Sequence, residues 1–279
     1  MIKHFSSAAI VAIVILMLIG CTPQAEKGNA DAPMKDMEVE LKEFESKEAF
    51  SFEAYDQTPT EWGEHVTGVR TTFQTDDDEI ALTFDACGGP YGNEVDLELV
   101  EFLQAEGIPA TLFINERWLL ENEQLFMELS EDPLFQLENH GTAHVPLSVE
   151  GGEAWGIEAT GSPEEVYEEI MQQHETVRNR IGKEMTLFRS GTAYYDEVAV
   201  KLAQELGYEV VNFSVLGDAG ATYSSDQVED ALMTSTSGSI VLLHMNQPAS
   251  GTAKGVKQAI PKLQQDGFTF VLLQDQILK

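Results

Sequence analysis

From residue 79 to the C-terminus, short runs of β-branched and aromatic residues alternate with longer stretches whose apolar residues recur at helical spacing. The short runs predict seven strands, at residues 80–84, 110–114, 135–138, 186–188, 209–213, 239–243 and 269–272. The longer stretches predict six helices, at about residues 94–106, 119–129, 163–181, 196–206, 226–234 and 252–265. Because strands and helices alternate, we expect a parallel sheet covered by helices, either a barrel or an open doubly wound sheet.

The first 48 residues lack this alternation. A basic start at Lys3, an apolar run over residues 8–19 and the sequence Leu18-Ile19-Gly20-Cys21 resemble a lipoprotein signal at residues 1–20. We therefore expect an extracytoplasmic protein that is lipid-anchored to the cell membrane through Cys21. Residues 21–48, rich in charged residues with Gly and Pro, predict an acidic tether, and residues 49–279 a single folded domain.

The charge balance narrows the range of partners. The chain has 16 basic and 48 acidic side chains, a formal net charge of −32. A surface this negative repels nucleic acid and anionic lipid headgroups, so we expect no nucleic-acid partner and attribute the membrane link to acyl chains. The apolar content of 43% is enough for a sizeable core.

Polar side chains that could take part in catalysis or metal binding follow the predicted strands. Because the strand ends of a parallel barrel converge on one face, residues far apart in sequence are expected to share one pocket there. In chain order the candidates are Asp85, Asn115, His140 with His144, Arg189, Asp218 and His244.

The two histidines after the third strand have the spacing of metal ligands. His140 and His144 are four residues apart and close on one divalent ion if the segment makes a single turn. The alternative is a loop in which His140 merely caps the strand. A metal held by two histidines and one further ligand leaves room for water and a substrate carbonyl oxygen.

Hydrolysis of an amide or ester at such a metal also needs a base and an acid. Asp85 fits the base and His244 the acid. Arg189 beside a carboxylate would keep it ionised, and Asp218 would orient the arginine. The alternative for Arg189 and Asp218 is a partly buried ion pair that closes the barrel mouth.

With these residues in place, residues 79–278 resemble a polysaccharide deacetylase of carbohydrate esterase family 4. The resemblance implies an α/β fold, a distorted (β/α) barrel of parallel strands, with a divalent metal, zinc or alternatively cobalt or nickel. It also implies removal of N-acetyl groups from N-acetylglucosamine-containing polysaccharide, peptidoglycan or a secreted glycan. The motifs that carry it are Thr83-Phe84-Asp85, the pair His140 and His144, Phe188-Arg189, Asp218, and Leu242-Leu243-His244.

The first motif departs from the family pattern, which has a second aspartate as a metal ligand where this chain has Ala86. We expect the two histidines and Asp85 to be the metal ligands. The alternatives are that Cys87, Asn139 or a further acid completes the set. The missing aspartate also supports a second hypothesis, a non-catalytic lipoprotein that binds a glycan or a metal in the same pocket.

Two further regions bear on the substrate. The third motif lacks the family's usual prolines, and Tyr194 or Tyr195 would supply the tyrosine that helps bind the oxyanion in the family. The acidic, Gly-rich segment 149–161 is expected on the rim of the site, where Trp155 is either a stacking surface for a sugar ring or a packed residue.

Overall fold

The computed structural model describes residues 50–279, of which Phe52–Lys279 form one compact unit. The predicted signal at residues 1–20 and the predicted tether at 21–48 lie outside the described residues. Among residues 50–279, no helix combines the length and the apolar character that a membrane crossing requires.

The main sheet has eight strands, and every pairing in it is parallel. Their spatial order is β5-β4-β3-β2-β1-β7-β6, with β8 paired to the start of β1. The strands are β1 Glu79–Ala86, β2 Ala110–Ile114, β3 Phe135–Asn139, β4 Leu187–Phe188, β5 Glu209–Val210, β6 Val215–Leu216, β7 Ser239–His244 and β8 Thr269–Phe270.

The sheet curls so that its two edge strands, β5 and β6, are consecutive in the chain. Between them the segment at residues 70–72 bridges to both sides: Arg70 pairs with Val211, and Thr72 pairs with Ser239. The fold is thus a curled half-barrel with helices outside, and the barrel form of the sequence prediction is confirmed. The predicted strand 209–213 is wrong beyond Val210: Val211 N–H makes a last bond to the Phe188 carbonyl oxygen of β4, and Asn212 N–H then donates to the carbonyl oxygen of Arg70 in the bridging segment.

Seven α-helices are described between residues 50 and 279. The predicted helix 119–129 is in fact two helices divided at Asn122, whose side chain donates to the carbonyls of Asn93 and Trp118 and so fixes the bend. The helices are α1 Leu97–Glu106, α2 Glu116–Glu121, α3 Glu123–Glu131, α4 Pro163–Ile181, α5 Glu197–Glu205, α6 Ser225–Leu232 and α7 Thr252–Gln265.

Strand β1 is buried on both faces, as expected for a central parallel strand. Its odd-numbered positions face the barrel interior, since Ala81 packs there in a core cluster with Phe113, Val211 and Ile240. Side chains alternate along a strand, so Thr83, Asp85 and the next odd position lie on the same interior face. This alternation delivers polar side chains to the open end of the barrel.

Candidate functional site

A cavity of about 550 Å³ opens at the carboxyl ends of the strands. Asp85, Cys87, His144 and His244 line it together. Three strand ends or the loops after them, those of β1, β3 and β7, therefore converge, as the strand-end pattern predicts for a parallel barrel. His140 and Arg189 lie directly behind this lining, buried at 1% and 0% exposure.

Asp85 is held by Arg189. The Arg189 Nη1 donates to Asp85 Oδ1 at 2.7 Å and to Thr83 Oγ1 at 2.9 Å, while Nε and Nη2 donate to the carbonyl oxygens of Val211 and Asn212 at 3.1 Å each. Burial alone would raise the pKa of Asp85, but the arginine and nearby imidazoles lower it below its ordinary value. Asp85 is therefore an ionised carboxylate with a fixed orientation at neutral pH.

His244 is held by Asp218. Its Nδ1 lies 2.8 Å from Asp218 Oδ1, and its backbone N–H donates to Oδ2 at 2.7 Å, where Thr252 Oγ1 also donates. An ionised carboxylate only accepts, so Nδ1 carries the proton in this contact. Burial alone would lower the pKa of His244, but the Asp218 charge outweighs it and raises this pKa well above its usual value.

This contact corrects one sequence-based expectation, that Asp218 orients Arg189. The reason is the strand order. Asp218 follows β6, which pairs with β7 and its last residue His244, whereas Arg189 follows β4 on the other side of β1. Each cation of the site thus has its own carboxylate, Asp85 for Arg189 and Asp218 for His244.

The two histidines differ in how many of their ring nitrogens are already bonded. His140 Nδ1 lies 2.9 Å from the carbonyl oxygen of Arg189 and so donates to it. Its Nε2 lies 3.9 Å from Cys87 Sγ and 3.6 Å from Asp85 Oδ2. His144 is 4% exposed and stacks on Tyr91, with ring centroids 4.7 Å apart, yet neither of its ring nitrogens has a hydrogen-bond partner among residues 50–279.

The loop from His140 to His144 is held in place by Glu169 of α4 and by Asn115. Glu169 Oε2 accepts from the backbone N–H of Ala143 at 2.7 Å, and burial raises the pKa of this carboxyl to about 7. Asn115 Nδ2 donates to the carbonyl oxygens of His140 at 3.0 Å and Gly141 at 2.7 Å. The sequence analysis did not identify Glu169; an acid on the buried face of an amphipathic helix is the signal that would have found it.

Glycine is required at two places around this loop. Gly141 has φ +77°, and an added Cβ would lie 2.3 Å from Glu169 Oε1. An added Cβ at Gly191 would lie 2.5 Å from the Cα of His144. Neither contact is compatible with a side chain, so both glycines allow His144 to reach the cavity.

Three donors at the site fit a metal ion. Cys87 Sγ, one ring nitrogen of His140 and one of His144 all lie within 4.8 Å of one another, and all three residues are buried. Thiolate and imidazole are the usual ligands of zinc. Burial alone would raise the pKa of the Cys87 thiol, but the imidazoles, His144 foremost, lower it well below its ordinary value.

The other candidate ligands have different surroundings. Asp85 is not one of the three grouped donors; its Oδ1 accepts from Arg189, and its Oδ2 lies 3.6 Å from His140 Nε2. The Asn139 side chain is buried and donates to the carbonyl oxygen of Ile170 and to Tyr208 Oη, and its Oδ1 accepts from the backbone of Gly141. Its amide is committed to structural bonds.

The two tyrosines of the third motif lie outside the cavity lining. Tyr195 is fully buried; its hydroxyl accepts from Ser190 N–H and donates to Asn212 Oδ1. Tyr194 packs its ring against Trp62 and Trp155, with centroids 5.8 Å away in both cases. Trp155 is 73% exposed and lines the cavity, so it is a rim residue rather than a packed one.

Fold and site together define an α/β half-barrel protein with a strand-end pocket able to hold a metal ion. Residues 73–211 match the family model described as polysaccharide deacetylase. The chain carries a polysaccharide deacetylase domain.

Several known proteins are similar to this chain in sequence or fold. A peptidoglycan-N-acetylglucosamine deacetylase of Bacillus cereus is 26% identical over 201 residues, which cover 70% of this chain and 86% of the relative. PdaA of Bacillus subtilis, a family 4 carbohydrate esterase, superposes with a TM-score of 0.62 at 20% identity, over 79% of this chain and 97% of that one. A family 4 pseudoenzyme from Bacillus anthracis superposes with a TM-score of 0.61 at 19% identity, over 84% and 79% of the two chains.

Proposed function

We propose that this protein is a metal-dependent deacetylase that hydrolyses N-acetyl groups of N-acetylglucosamine units in an envelope polysaccharide, either peptidoglycan or a secreted glycan. One observation carries the proposal. An ionised carboxylate, Asp85, and a protonated imidazole, His244, line the same cavity as Cys87 and His144, two of the three donors that fit a metal. A base, an acid and a Lewis acid are the three elements that amide hydrolysis needs.

Asp85 and His244 each carry out one of the two proton transfers. His140 and His144 with a third donor would hold a divalent ion, which polarises an acetyl carbonyl and lowers the pKa of water when bound. Asp85 takes the proton from the attacking water. Arg189 keeps that carboxylate ionised and directs its free oxygen, Oδ2, away from the Nη1 contact.

His244 delivers a proton to the nitrogen that leaves. Because Asp218 accepts from Nδ1, the ring is held in one orientation and Nε2 is the nitrogen left for substrate. The backbone bond from His244 to the same carboxylate prevents the pair from separating. Asp218 is thus a positioning residue, which acts through His244.

The walls of the cavity suit an acetylated sugar. Ala193, Phe213 and Leu242 form a buried apolar cluster that lines the cavity and would accept the methyl of an acetyl group. Trp155 stands exposed at the rim, where an indole face would stack on a sugar ring. These two features support an acetylated sugar as the substrate.

The proposal includes attachment outside the cytoplasm through a lipidated Cys21, which the lipoprotein-like sequence before it supports. Fractionation of cells tests this part. We expect the wild-type chain in the detergent-soluble membrane fraction and Cys21→Ser outside it. Equal distribution of the two would contradict the anchor.

The activity is tested by acetate release. Purified protein loaded with zinc or cobalt should release acetate from chitooligosaccharides or from peptidoglycan, and chelation followed by dialysis should abolish the release. If a folded, metal-loaded protein released no acetate from any acetylated glycan, the deacetylase proposal would be wrong.

A non-catalytic glycan- or metal-binding protein is the second candidate, favoured by the presence of Ala86 where the family has an acid. It predicts metal or glycan binding with no turnover. Metal content and acetate release measured on the same sample separate the two.

A further inference from the structure

We infer that the thiolate of Cys87 is the third protein ligand of the metal ion, together with Nε2 of His140 and one ring nitrogen of His144. A thiolate thus occupies the role that a carboxylate has in the family pattern. The inference rests on the proposed function only for the presence of a metal, because ligand identity and turnover are measured separately.

Strand geometry places Cys87 at the cavity. Alternation along β1 puts Asp85 and Cys87 on the interior face and Ala86 on the opposite face. Both odd-numbered residues line the cavity, and Ala86 does not. The donor missing at position 86 is thus supplied one position later, where the side chain points toward the histidines.

The separations between donors agree with one shared ion. Tetrahedral zinc with sulfur and nitrogen bonds of about 2.3 and 2.0 Å places its ligand atoms roughly 3.3–3.6 Å apart. Cys87 Sγ and His140 Nε2 are 3.9 Å apart, and all three donors lie within 4.8 Å of one another. A contraction of about an ångström would bring them to bonding distance.

His140 is oriented as a metal ligand. Its Nδ1 donates to the carbonyl oxygen of Arg189, which leaves Nε2 without a proton and directed at the sulfur. Metal-binding histidines usually donate their second nitrogen to a carbonyl or carboxylate in this way. The backbone after β4 therefore fixes both the tautomer and the direction of the lone pair.

The ring nitrogens of His144 have no other hydrogen-bond partner among residues 50–279. His144 is only 4% exposed, and neither of its ring nitrogens is hydrogen-bonded within the described residues. A buried polar group without a hydrogen-bond partner destabilises the folded chain. A cation between this ring, the Cys87 sulfur and His140 would satisfy it.

Other donors do not compete for the third position. Among residues 50–279, Cys87, His140 and His144 are the one group of three such donors close enough to share an ion. Asp85 Oδ1 is bonded to Arg189, and although its Oδ2 lies 3.6 Å from His140 Nε2, Asp85 does not form a group of three with both histidines. The amide of Asn139 is fully used by structural bonds. A thiolate also matches the charge of the carboxylate that the family pattern has, so the net charge of the site is preserved.

Cobalt(II) absorption tests the ligand set. The full chain carrying Cys21→Ser has one thiol, at Cys87, and is titrated with Co(II). We expect one ion per chain and a near-ultraviolet sulfur-to-cobalt charge-transfer band, in this variant and in the wild type alike. Binding of one ion without that band would overturn the inference.

Two substitutions at Cys87 complete the test in the same Cys21→Ser background. Cys87→Asp keeps an anionic donor and should bind cobalt without the charge-transfer band. Cys87→Ser should lose more metal affinity than the about 10- to 100-fold typical of removing a supporting partner. An unchanged affinity in Cys87→Ser, with the fold intact by circular dichroism, would contradict the assignment.

The outcomes separate this inference from the proposed function. A charge-transfer band without acetate release would support the thiolate ligand and contradict the proposed deacetylase activity. Acetate release from a metal-loaded protein without the band does the reverse.

Discussion

The two sides of the cavity differ in how completely their polar atoms are bonded. On the ion-pair side, made of Asp85 with Arg189 and Asp218 with His244, carboxylate and cation face each other at 2.7 and 2.8 Å. On the donor side, made of Cys87, His140 and His144, both ring nitrogens of His144 are without partners in the part of the chain that the structure describes. The chain satisfies the first side by itself, and we infer that a metal ion completes the second.

The geometry of the two sides is therefore maintained by different interactions. The ion-pair side is fixed by folding, because burial of an unpaired charge would be too costly. The donor side keeps its histidines in place through the backbone bonds of Glu169 and Asn115, which leave His140 Nε2 and both ring nitrogens of His144 available. Four substitutions test this division, beginning with the largest expected effect.

Asp85→Asn should lower kcat by about 10²- to 10⁴-fold, the range for loss of a positioned base. Because Asp85 belongs to the ion-pair side, metal content should stay at one ion per chain. Acetate-release kinetics and metal analysis on the same preparation check both parts. Loss of the metal would show that Asp85 is itself a ligand and would end the division of the cavity.

Arg189→Met should destabilise the fold by about 3–5 kcal/mol, because it leaves Asp85 as an unpaired buried charge. Urea denaturation measures the change. The double variant Arg189→Met with Asp85→Asn is the control and should be less destabilised than the sum of the single variants. Additive effects would mean that the pair is not coupled.

Asp218→Asn should lower kcat by about 10- to 100-fold, less than loss of an acid itself. It should also move the alkaline limb of the activity profile to lower pH. The protonated His244 is the active form, and the Asp218 charge is what raises its pKa, so without that charge the proton leaves at lower pH.

The control for this variant is Thr252→Val. It removes one hydrogen bond to Asp218 but keeps the carboxylate charge, so the alkaline limb should stay in place. An unmoved limb in Asp218→Asn would indicate that Asp218 has only a structural role.

Trp155→Ala should raise KM for a polymeric substrate by about 2- to 10-fold and leave kcat unchanged, as expected for a stacking contact of roughly 0.5–1.5 kcal/mol. The exposed indole lies on the rim of the cavity and is not one of the donors or ion-pair residues. A disaccharide too short to reach the rim is the matched control. A fall in kcat would mean that Trp155 also affects the catalytic residues of the ion-pair side.

Much of the fold could be predicted from local pattern. The periodicity of strands such as β2 and of helices such as α4 and α7 matches the observed bounds, because side-chain period and capping act between near neighbours in the chain. Strand β6 was not predicted, because two residues are too few for a periodic signal. Its pairing depends on the distant strand β7.

The sequence by itself determined that a carboxylate, three histidines, an arginine and a second acid would follow strands, and that the acid at position 86 is absent. Only the tertiary structure decided which groups are partners. Asp218 pairs with His244 because β6 lies beside β7, and Cys87 faces the histidines because β1 remains extended through Ala86. Strand order and the face of a strand end depend on contacts between distant segments, which the pattern along the chain does not contain.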